Sequence, residues 1–136
     1  MTIAFTFPGQ GSQAIGMGKS LAENYEAARA VFAEVDEALG QKLSTLMWEG
    51  AEADLTLTEN AQPALMAVAM AALRALEVEH GVTVGNTAAF VAGHSLGEYS
   101  ALAAAGTFSL ADAARLLKAR GRAMQAATPL GVGAMA

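Results

Sequence analysis

Residues 93–97 read Gly-His-Ser-Leu-Gly, the pattern G-x-S-x-G centred on Ser95. The short apolar run 87–92 before it predicts a buried strand, and the residues from 97 to about 105 predict a helix. In that setting the turn is so sharp that the serine hydroxyl projects from its apex, and the glycines relieve backbone crowding. The N–H of Leu96 and the start of the helix would stabilise negative charge on an attacked carbonyl. Ser95 is therefore a candidate nucleophile, with a purely structural turn as the alternative.

A nucleophilic serine needs a neighbouring base, usually histidine, and the chain contains two histidines. His94 is adjacent to Ser95, and adjacent side chains on a sharp turn diverge, so His94 is expected to pack or hydrogen-bond near the turn. His80 precedes Gly81 at the end of a predicted helix, where a capping or dipole role is expected. The base is therefore expected to lie outside this chain, or else the turn is inert.

The helix predicted over residues 110–127 carries a cation on its apolar stripe. Apolar residues recur there at spacings of three and four, and Arg120 falls on the same stripe. Because arginine is rarely buried unless it is paired, Arg120 either pairs with an internal Glu or Asp or faces a cleft, where it could bind an anionic ligand through two hydrogen bonds. The other cations of the helix share one side and are expected to be solvated; they are Arg115, Lys118 and Arg122.

Residues 7–14 form a glycine-rich loop after a predicted strand and contain G-x-G-x-x-A, a loose dinucleotide-binding fingerprint. The acidic residue that should end a second strand about twenty residues later is missing. Glu34 and Asp36 fall inside an amphipathic helix instead. The loop also has no lysine that would indicate a P-loop. Dinucleotide binding is therefore disfavoured, and the N–H groups of the loop could instead supply an oxyanion donor.

The predicted elements follow the order of an α/β protein. Gly40 is expected to end one helix as its C-cap. Asn60 or a neighbour is expected to cap a helix whose first turn tolerates Pro63, and Ser109 is expected to cap the helix that follows it. In chain order the predicted elements are a strand over 2–7, a loop over 9–18, helices over 19–39 and 43–49, a loop over 50–58, a helix from about 60 to 80, a strand over 87–92, helices over 97–105 and 110–127, and the start of a strand over 131–136.

Composition excludes several classes of protein. The 136 residues contain no cysteine, which excludes disulfides, thiolate metal sites and cysteine nucleophiles. A net charge of -5 argues against nucleic-acid binding, and 54% hydrophobic residues predict one well-packed domain or part of one. The N-terminus has no basic segment before its apolar run, and the apolar stretch 63–73 is too short to span a bilayer. We therefore expect a cytoplasmic protein without a metal or cofactor and without a membrane partner.

Two motifs, in order and at matching spacing, resemble the malonyl-CoA:acyl-carrier-protein transacylases of bacterial fatty-acid synthesis, which are relatives of the acyltransferase domains of polyketide synthases. They are Phe-Pro-Gly-Gln-Gly-Ser-Gln at 7–13 and Gly-His-Ser-Leu-Gly-Glu-Tyr-Ser-Ala-Leu at 93–102. The resemblance extends to Gln-Pro-Ala-Leu at 62–65, Arg-Gly-Arg at 120–122 and Gly-Val-Gly-Ala-Met at 131–135. It covers essentially the whole chain, as the N-terminal part of such an enzyme.

The resemblance implies a fold and a reaction. Residues 1–130 would form part of an α/β-hydrolase-like core, and residues 131–136 would begin a ferredoxin-like subdomain. Malonyl-CoA would acylate Ser95, and the malonyl group would then pass to the phosphopantetheine thiol of acyl carrier protein. Malonyl-CoA and acyl carrier protein are thus the expected partners of an enzyme that acts as a monomer.

The same resemblance assigns roles to individual residues. The N–H groups of Gln10 and Leu96 would form the oxyanion hole, and Arg120 would bind the malonyl carboxylate. In relatives, leucine after the serine goes with a preference for malonyl, so Leu96 indicates that substrate. Gln62 and His94 are candidates for the lining of the site.

The chain departs from this family in one respect. The family's general-base histidine and much of the small subdomain lie C-terminal to these motifs, and neither is present in the 136 residues. We therefore expect the chain alone to be inactive. A serine hydrolase is the first alternative, because it would share Ser95 but has no need of a carboxylate-binding arginine. An inactive fragment or interaction module is the second.

Overall fold

A two-stranded parallel sheet joins the first residues of the chain to its middle in the computed structural model, which describes residues 1–133. The elements are β1 (Ala4–Phe7), α1 (Lys19–Asn24), α2 (Glu26–Leu39), α3 (Leu43–Glu49), α4 (Glu52–Thr56), α5 (Thr58–His80), α6 (Val84–Thr87), β2 (Phe90–Gly93), α7 (Leu96–Ala104) and α8 (Leu110–Ala127). Ala4 of β1 lies opposite Phe90 of β2, and Phe7 lies opposite Gly93. Because the strands are parallel, the chain leaves both of them at the same end of the sheet.

Helix α5 is the centre of the helical layer, with α2, α7 and α8 packed along it. It contributes alanines with no exposed surface, among them Ala61, Ala64 and Ala71, and such small side chains let neighbouring helices approach closely. The predicted α/β class is confirmed as a mixed helical structure with a small parallel sheet. Large apolar side chains fill the space between the helices; those that are fully buried are Phe32, Leu43, Met47, Leu55, Met66, Leu96 and Leu117.

By length and composition, α5 is long and apolar enough to cross a membrane, and it is the one such helix within residues 1–133. The helix is 23 residues long, so it extends well beyond the apolar stretch 63–73 on which the sequence argument rested. In the folded chain, 56% of its most apolar window is buried against the rest of the protein. This packing fits the buried core helix that the sequence predicts.

The prediction of a single helix over residues 19–39 is wrong, because Tyr25 interrupts it and separates α1 from α2. Tyr25 has extended backbone angles, φ -128° and ψ 117°. The side chain of Arg29 stabilises the break from within α2, since its Nε donates to the carbonyl of Ala22 over 2.9 Å and its Nη2 donates to that of Glu23 over 3.3 Å. A charged donor thus satisfies carbonyls that the end of α1 leaves without helical partners.

The start of α5 also differs from the prediction. The expected loop over 50–58 contains α4, and α5 begins at Thr58 after Leu57, without a side-chain cap. Asn60 is therefore not the N-cap: its amide is buried and donates to the carbonyl of Asp54 over 2.8 Å. Pro63 is the sixth residue of the helix, so it lies in the second turn and not the first.

The strand predicted over residues 87–92 begins later and is less buried than expected. A short helix, α6, occupies the residues up to Thr87, and a capping box between Thr83 and Asn86 stabilises its N-terminus. The strand itself runs from Phe90, whose side chain is 67% exposed. The strand is not buried as predicted, because β2 has one hydrogen-bonded neighbour within residues 1–133 and the described chain does not cover this part of its surface.

Other boundaries agree with the sequence. Helices α3 and α8 have the predicted bounds, and the hydroxyl of Ser109 accepts a hydrogen bond from the N–H of Asp112 over 3.1 Å. Gly40 ends α2 in the left-handed conformation, as expected. Of the strand predicted over 131–136, residues 131 and 132 belong to a turn and residue 133 is irregular, and the remaining three lie outside the described residues.

Two adjacent leucines of α8 provide a test of this packing. Leu117 has no exposed surface, whereas Leu116 is 42% exposed. Leu117→Ala is expected to lower the free energy of unfolding by about 2–5 kcal/mol, because it leaves a cavity in the hydrophobic core. Leu116→Ala is the matched control and is expected to cost less than about 1 kcal/mol. Chemical unfolding measures both values, and equal losses would contradict the described orientation of α8.

Candidate active site

Ser95 stands at a sharp turn between β2 and α7. Its φ of 56° and ψ of -117° are unusual for a side-chain-bearing residue, and it is the single non-glycine residue with positive φ within residues 1–133. Such a conformation costs on the order of 1–3 kcal/mol and persists only where the surrounding structure holds it. The strained residue is the serine that the sequence motif singles out, and it is exposed.

The two glycines of the motif are required by close backbone contacts. A Cβ on Gly93 would collide with the carbonyl group of Gly97, and a Cβ on Gly97 would collide with the carbonyl oxygen of Phe7. The N–H of His94 donates to that same Phe7 carbonyl over 3.1 Å. The turn therefore folds back on itself and presses against the end of β1, which holds Ser95 at the edge of the sheet.

Arg120 reaches this turn from α8. Its Nη2 lies 3.2 Å from the hydroxyl oxygen of Ser95, and its Nη1 donates to the Oε1 of Gln62 over 2.7 Å. The Gln62 side chain is almost fully buried, and its Nε2 donates to the sulfur of Met124 over 3.3 Å. Because both ends of the Gln62 amide have partners, its carbonyl is held facing the guanidinium.

The salt bridges within residues 1–133 do not include Arg120. The described structure thus gives no support to the alternative in which Arg120 pairs with an internal Glu or Asp. A guanidinium remains charged at any ordinary pH and has no lone pair to accept a proton. Arg120 can therefore bind an anion beside Ser95 but cannot act as its base.

A cluster of charges next to Arg120 holds α8 against the start of α5. The Nζ of Lys118 lies 3.1 Å from the carboxylate of Glu59 and donates to the Oδ1 of Asn60 over 2.9 Å. Arg122 donates its Nε to the same Glu59 oxygen over 3.0 Å. Hydrogen bonds from Arg122 and Lys118 hold the pKa of the Glu59 carboxyl below its ordinary value, although partial burial opposes them.

The prediction that Lys118 belongs to a solvated face is therefore wrong, because Lys118 is buried and paired. Arg115 and Arg122 are exposed, as that prediction requires. Gly121 explains how Lys118 comes so close to α5: a Cβ at Gly121 would lie 2.6 Å from the Cα of Glu59. The backbones of the two helices are nearly in contact at this point.

The glycine-rich loop after β1 lies beside the turn. A Cβ on Gly9 would lie 2.5 Å from the Nδ1 of His94, so the loop packs against the His94 ring. The Gln10 side chain reaches the start of α5, where its Nε2 lies 3.3 Å from the hydroxyl of Thr58. The backbone N–H groups of Gln10 and Leu96 form no hydrogen bond to a backbone carbonyl within residues 1–133. No backbone carbonyl in this part of the chain therefore competes for these two predicted oxyanion donors.

Within residues 1–133, no histidine hydrogen-bonds to the Ser95 hydroxyl, whose partner is Arg120. His94 packs near the turn, as predicted, and His80 ends α5 before Gly81. Within residues 1–133, no three acidic or histidine side chains are grouped in a way that could hold a metal ion. The arrangement thus combines an exposed, strained serine, two N–H groups without a backbone partner in the described residues, and a cation beside the serine, which suits an acyl acceptor with specificity for an anionic acyl group.

Residues 4–136 match the family model described as the acyl transferase domain. The chain belongs to the acyl transferase domain family. It is 54% identical, over 134 residues, to the malonyl CoA-acyl carrier protein transacylase of Bacillus subtilis, and the match covers 98% of this chain and 41% of that protein. The family resemblance inferred from the motifs is therefore confirmed.

Solved structures agree with this acyl transferase assignment. The acyl-carrier-protein S-malonyltransferase from Bartonella henselae matches with a TM-score of 0.92 and 65% identity, over 96% of this chain and 41% of that one. A malonyl-transacylase solved in complex with a type II polyketide-synthase acyl-carrier protein matches with a TM-score of 0.87 and 41% identity, over 95% of this chain and 40% of that one. The chain spans about two fifths of the length of these relatives.

Two features of this acyl transferase site escape a reading of the sequence. The guanidinium carbon of Arg120 lies 5.6 Å from the ring centre of Tyr99, which was not among the predicted residues. The spacing offers a signal for Tyr99, since it lies one helical turn after Ser95 on α7. The sequence gives no signal for the pairing of Glu59 with Lys118. The two residues are 59 positions apart, and which sides of their helices face each other is known only from the folded structure.

The crowding at the turn can be tested with two glycine substitutions. Gly93→Ala is expected to lower the free energy of unfolding by at least about 1–3 kcal/mol, because the new methyl group meets backbone that cannot move aside. Gly85→Ala is the matched control, since a Cβ there meets nothing within 4 Å. It is expected to change stability by no more than about 1 kcal/mol. Chemical unfolding checks both, and a tolerated Gly93→Ala would contradict the described turn.

Proposed function

We propose that this acyl transferase domain transfers a malonyl group from malonyl-CoA to the phosphopantetheine thiol of acyl carrier protein, through a malonyl ester on Ser95. The observation that carries the proposal is the placement of the Arg120 guanidinium 3.2 Å from the Ser95 hydroxyl. The carboxylate of a malonyl group is separated from its thioester carbonyl by a single CH₂. A cation that binds this carboxylate must therefore lie close to the nucleophile, as Arg120 does.

In the first half-reaction, the Ser95 oxygen attacks the thioester carbonyl while a base removes its proton. The N–H groups of Gln10 and Leu96 donate to the resulting oxyanion, a role supported by their lack of backbone partners within residues 1–133. The C–S bond then breaks, and coenzyme A leaves as a thiol with the proton. In the second half-reaction the carrier thiol attacks malonyl-Ser95, the C–O bond breaks, and the serine regains its proton.

We infer that the base comes from outside residues 1–136. Arg120 cannot accept a proton, and neither histidine of the chain is the hydrogen-bond partner of Ser95. The curated relatives are more than twice as long as the matched region, which leaves room in such proteins for a residue that completes the site. On this proposal, residues 1–136 alone carry the nucleophile and the carboxylate-binding arginine but turn over slowly or not at all.

We also propose the finer fold and partner assignments that the resemblance implies. The parallel pairing of β1 with β2, followed directly by the turn at Ser95 and α7, supports residues 1–130 as part of an α/β-hydrolase-like core. Residues 131–136 would begin the ferredoxin-like subdomain. The relative solved with a type II polyketide-synthase acyl-carrier protein supports a carrier protein as the second substrate. The enzyme would act as a cytoplasmic monomer.

Malonylation of Ser95 is tested by intact-mass spectrometry of the protein at its full natural length, before and after incubation with malonyl-CoA. One added malonyl group is expected on wild type and none on Ser95→Ala. Ser12→Ala is the matched control, because Ser12 is an exposed serine of the neighbouring loop and should leave the adduct intact. An adduct that persists in Ser95→Ala would exclude Ser95 as the nucleophile. Faster hydrolysis of uncharged esters than malonyl transfer would favour a serine hydrolase instead.

The role of Arg120 is tested by comparing malonyl-CoA with acetyl-CoA, which lacks the carboxylate. Arg120→Ala is expected to lower the ratio of kcat/KM for malonyl transfer to that for acetyl transfer roughly 10- to 100-fold, the loss of a charge-assisted hydrogen-bond pair. Arg115→Ala removes an exposed arginine from the same helix and should leave the ratio unchanged. An unchanged ratio in Arg120→Ala, with a large fall in melting temperature, would assign Arg120 a structural role.

A further inference from the structure

Tyr99 is the third group around the Arg120 guanidinium. It lies on α7, one turn after Ser95, and its ring centre is 5.6 Å from the guanidinium carbon. Both side chains are half-buried, so the contact is partly shielded from water. A cation within about 6 Å of an aromatic ring centre is attracted by the electron-rich ring face, and the attraction grows as water is excluded.

The Tyr99 ring is itself fixed in place. It stacks on Phe108 with a centroid separation of 6.2 Å and an interplanar angle of 27°. Phe108 lies immediately before Ser109, the N-cap of α8, so the stack connects α7 to the beginning of the helix that carries Arg120. The ring thus offers Arg120 a rigid surface that belongs to the same helix as the nucleophile turn.

Arginine has a long side chain with several rotatable bonds, and fixing it costs conformational entropy. Gln62 holds one nitrogen of the guanidinium through a 2.7 Å hydrogen bond, and the Ser95 hydroxyl contacts another at 3.2 Å. On the proposed function Ser95 is the group that reacts, so during the reaction the hydrogen bond to Gln62 alone would let the planar group tilt. The Tyr99 ring, whose centre lies 5.6 Å from the guanidinium carbon, limits this remaining freedom. The donors that face Ser95 are then oriented before a substrate arrives, which reduces the cost of binding an anion.

We propose that Tyr99 is a positioning residue that sets the selectivity of the site for carboxylate-bearing acyl groups, by holding Arg120 against its ring. The inference rests on the proposed function, since it concerns how the same arginine meets the malonyl carboxylate. The aromatic ring carries the effect, and the hydroxyl of Tyr99 is not needed for it. Acetyl transfer, which makes no use of Arg120, does not depend on Tyr99 in this way.

The test compares malonyl-CoA with acetyl-CoA in the protein at its full natural length, as kcat/KM for transfer to holo acyl carrier protein. Tyr99→Leu is expected to lower the malonyl-to-acetyl ratio about 2- to 5-fold, mainly through KM for malonyl-CoA, the size of one partly exposed cation–ring contact. Tyr99→Phe keeps the ring and is expected to keep the ratio. Trp48→Leu is the control, because it removes one ring of the Phe32–Trp48 pair, which includes neither Tyr99 nor Arg120, and it is expected to lower stability but keep the ratio.

A structural role for Tyr99 would instead lower transfer of both acyl groups equally, in step with the melting temperature, and that result would overturn the proposal. A Tyr99→Phe variant with the same loss of ratio as Tyr99→Leu would also overturn it, because the hydroxyl would then be responsible. Should Tyr99→Leu fail to fold, pentafluorophenylalanine at position 99 keeps the ring shape but removes its attraction for cations, and the same fall in ratio is expected. If the wild-type protein forms no malonyl ester at all, the proposed function itself fails, which is a different outcome from an unchanged ratio.

Discussion

The site depends on a backbone contact that leaves no room for side chains. At the end of β1, the carbonyl of Phe7 accepts a hydrogen bond from His94 and also lies against the α-carbon of Gly97. Gly93 meets the carbonyl of Gly97 on the other side of the turn. Ser95 can hold a strained backbone conformation because the chain before and after it is fixed by these contacts. The parallel pairing of β1 with β2 therefore does more than form a sheet, since it places the glycine-rich loop, the turn and the start of α7 at one edge.

A second close contact brings the cation to that edge. Gly121 lets α8 approach the backbone of α5 at Glu59, and the buried Lys118 ties the two helices together at the same level. A buried ion pair contributes little net stability, because desolvation offsets most of its attraction, but it penalises arrangements in which either charge lacks its partner. The pair thus favours one register of α8 on α5. In sequence, Arg120 lies between Lys118 and Gly121. The register of α8 on α5 therefore also determines how far the Arg120 guanidinium reaches toward Ser95.

Short sequence patterns predict the parts of this structure that depend on interactions between residues close together in the chain. The G-x-S-x-G spacing identifies the strained turn, the three–four spacing of apolar residues places Arg120 inside the fold, and capping by Ser109 marks the start of α8. The failures involve partners distant in sequence or contacts outside a helical pattern. The helical pattern predicts that Lys118 is solvated, because it does not show that Glu59 faces Lys118 in the fold. The helix break at Tyr25 depends on a side chain of the next helix, which donates hydrogen bonds to the carbonyls at the end of α1. The prediction that β2 is buried fails for a different reason. An apolar run indicates that a strand is buried but does not identify the part of the protein that covers it.

The charges along α8 support the anion-binding role proposed for Arg120. Glu59 is shared by Lys118 and Arg122, so its single negative charge is already engaged by two neighbouring cations. Arg120 contacts an amide carbonyl, a hydroxyl and an aromatic ring, none of which carries a formal charge, and it forms no salt bridge within residues 1–133. These neutral partners orient the guanidinium without neutralising it, and partial burial strengthens its attraction for an incoming charge. A carboxylate in place of Gln62 would occupy the cation permanently, whereas the neutral amide leaves its charge available for the proposed anionic substrate.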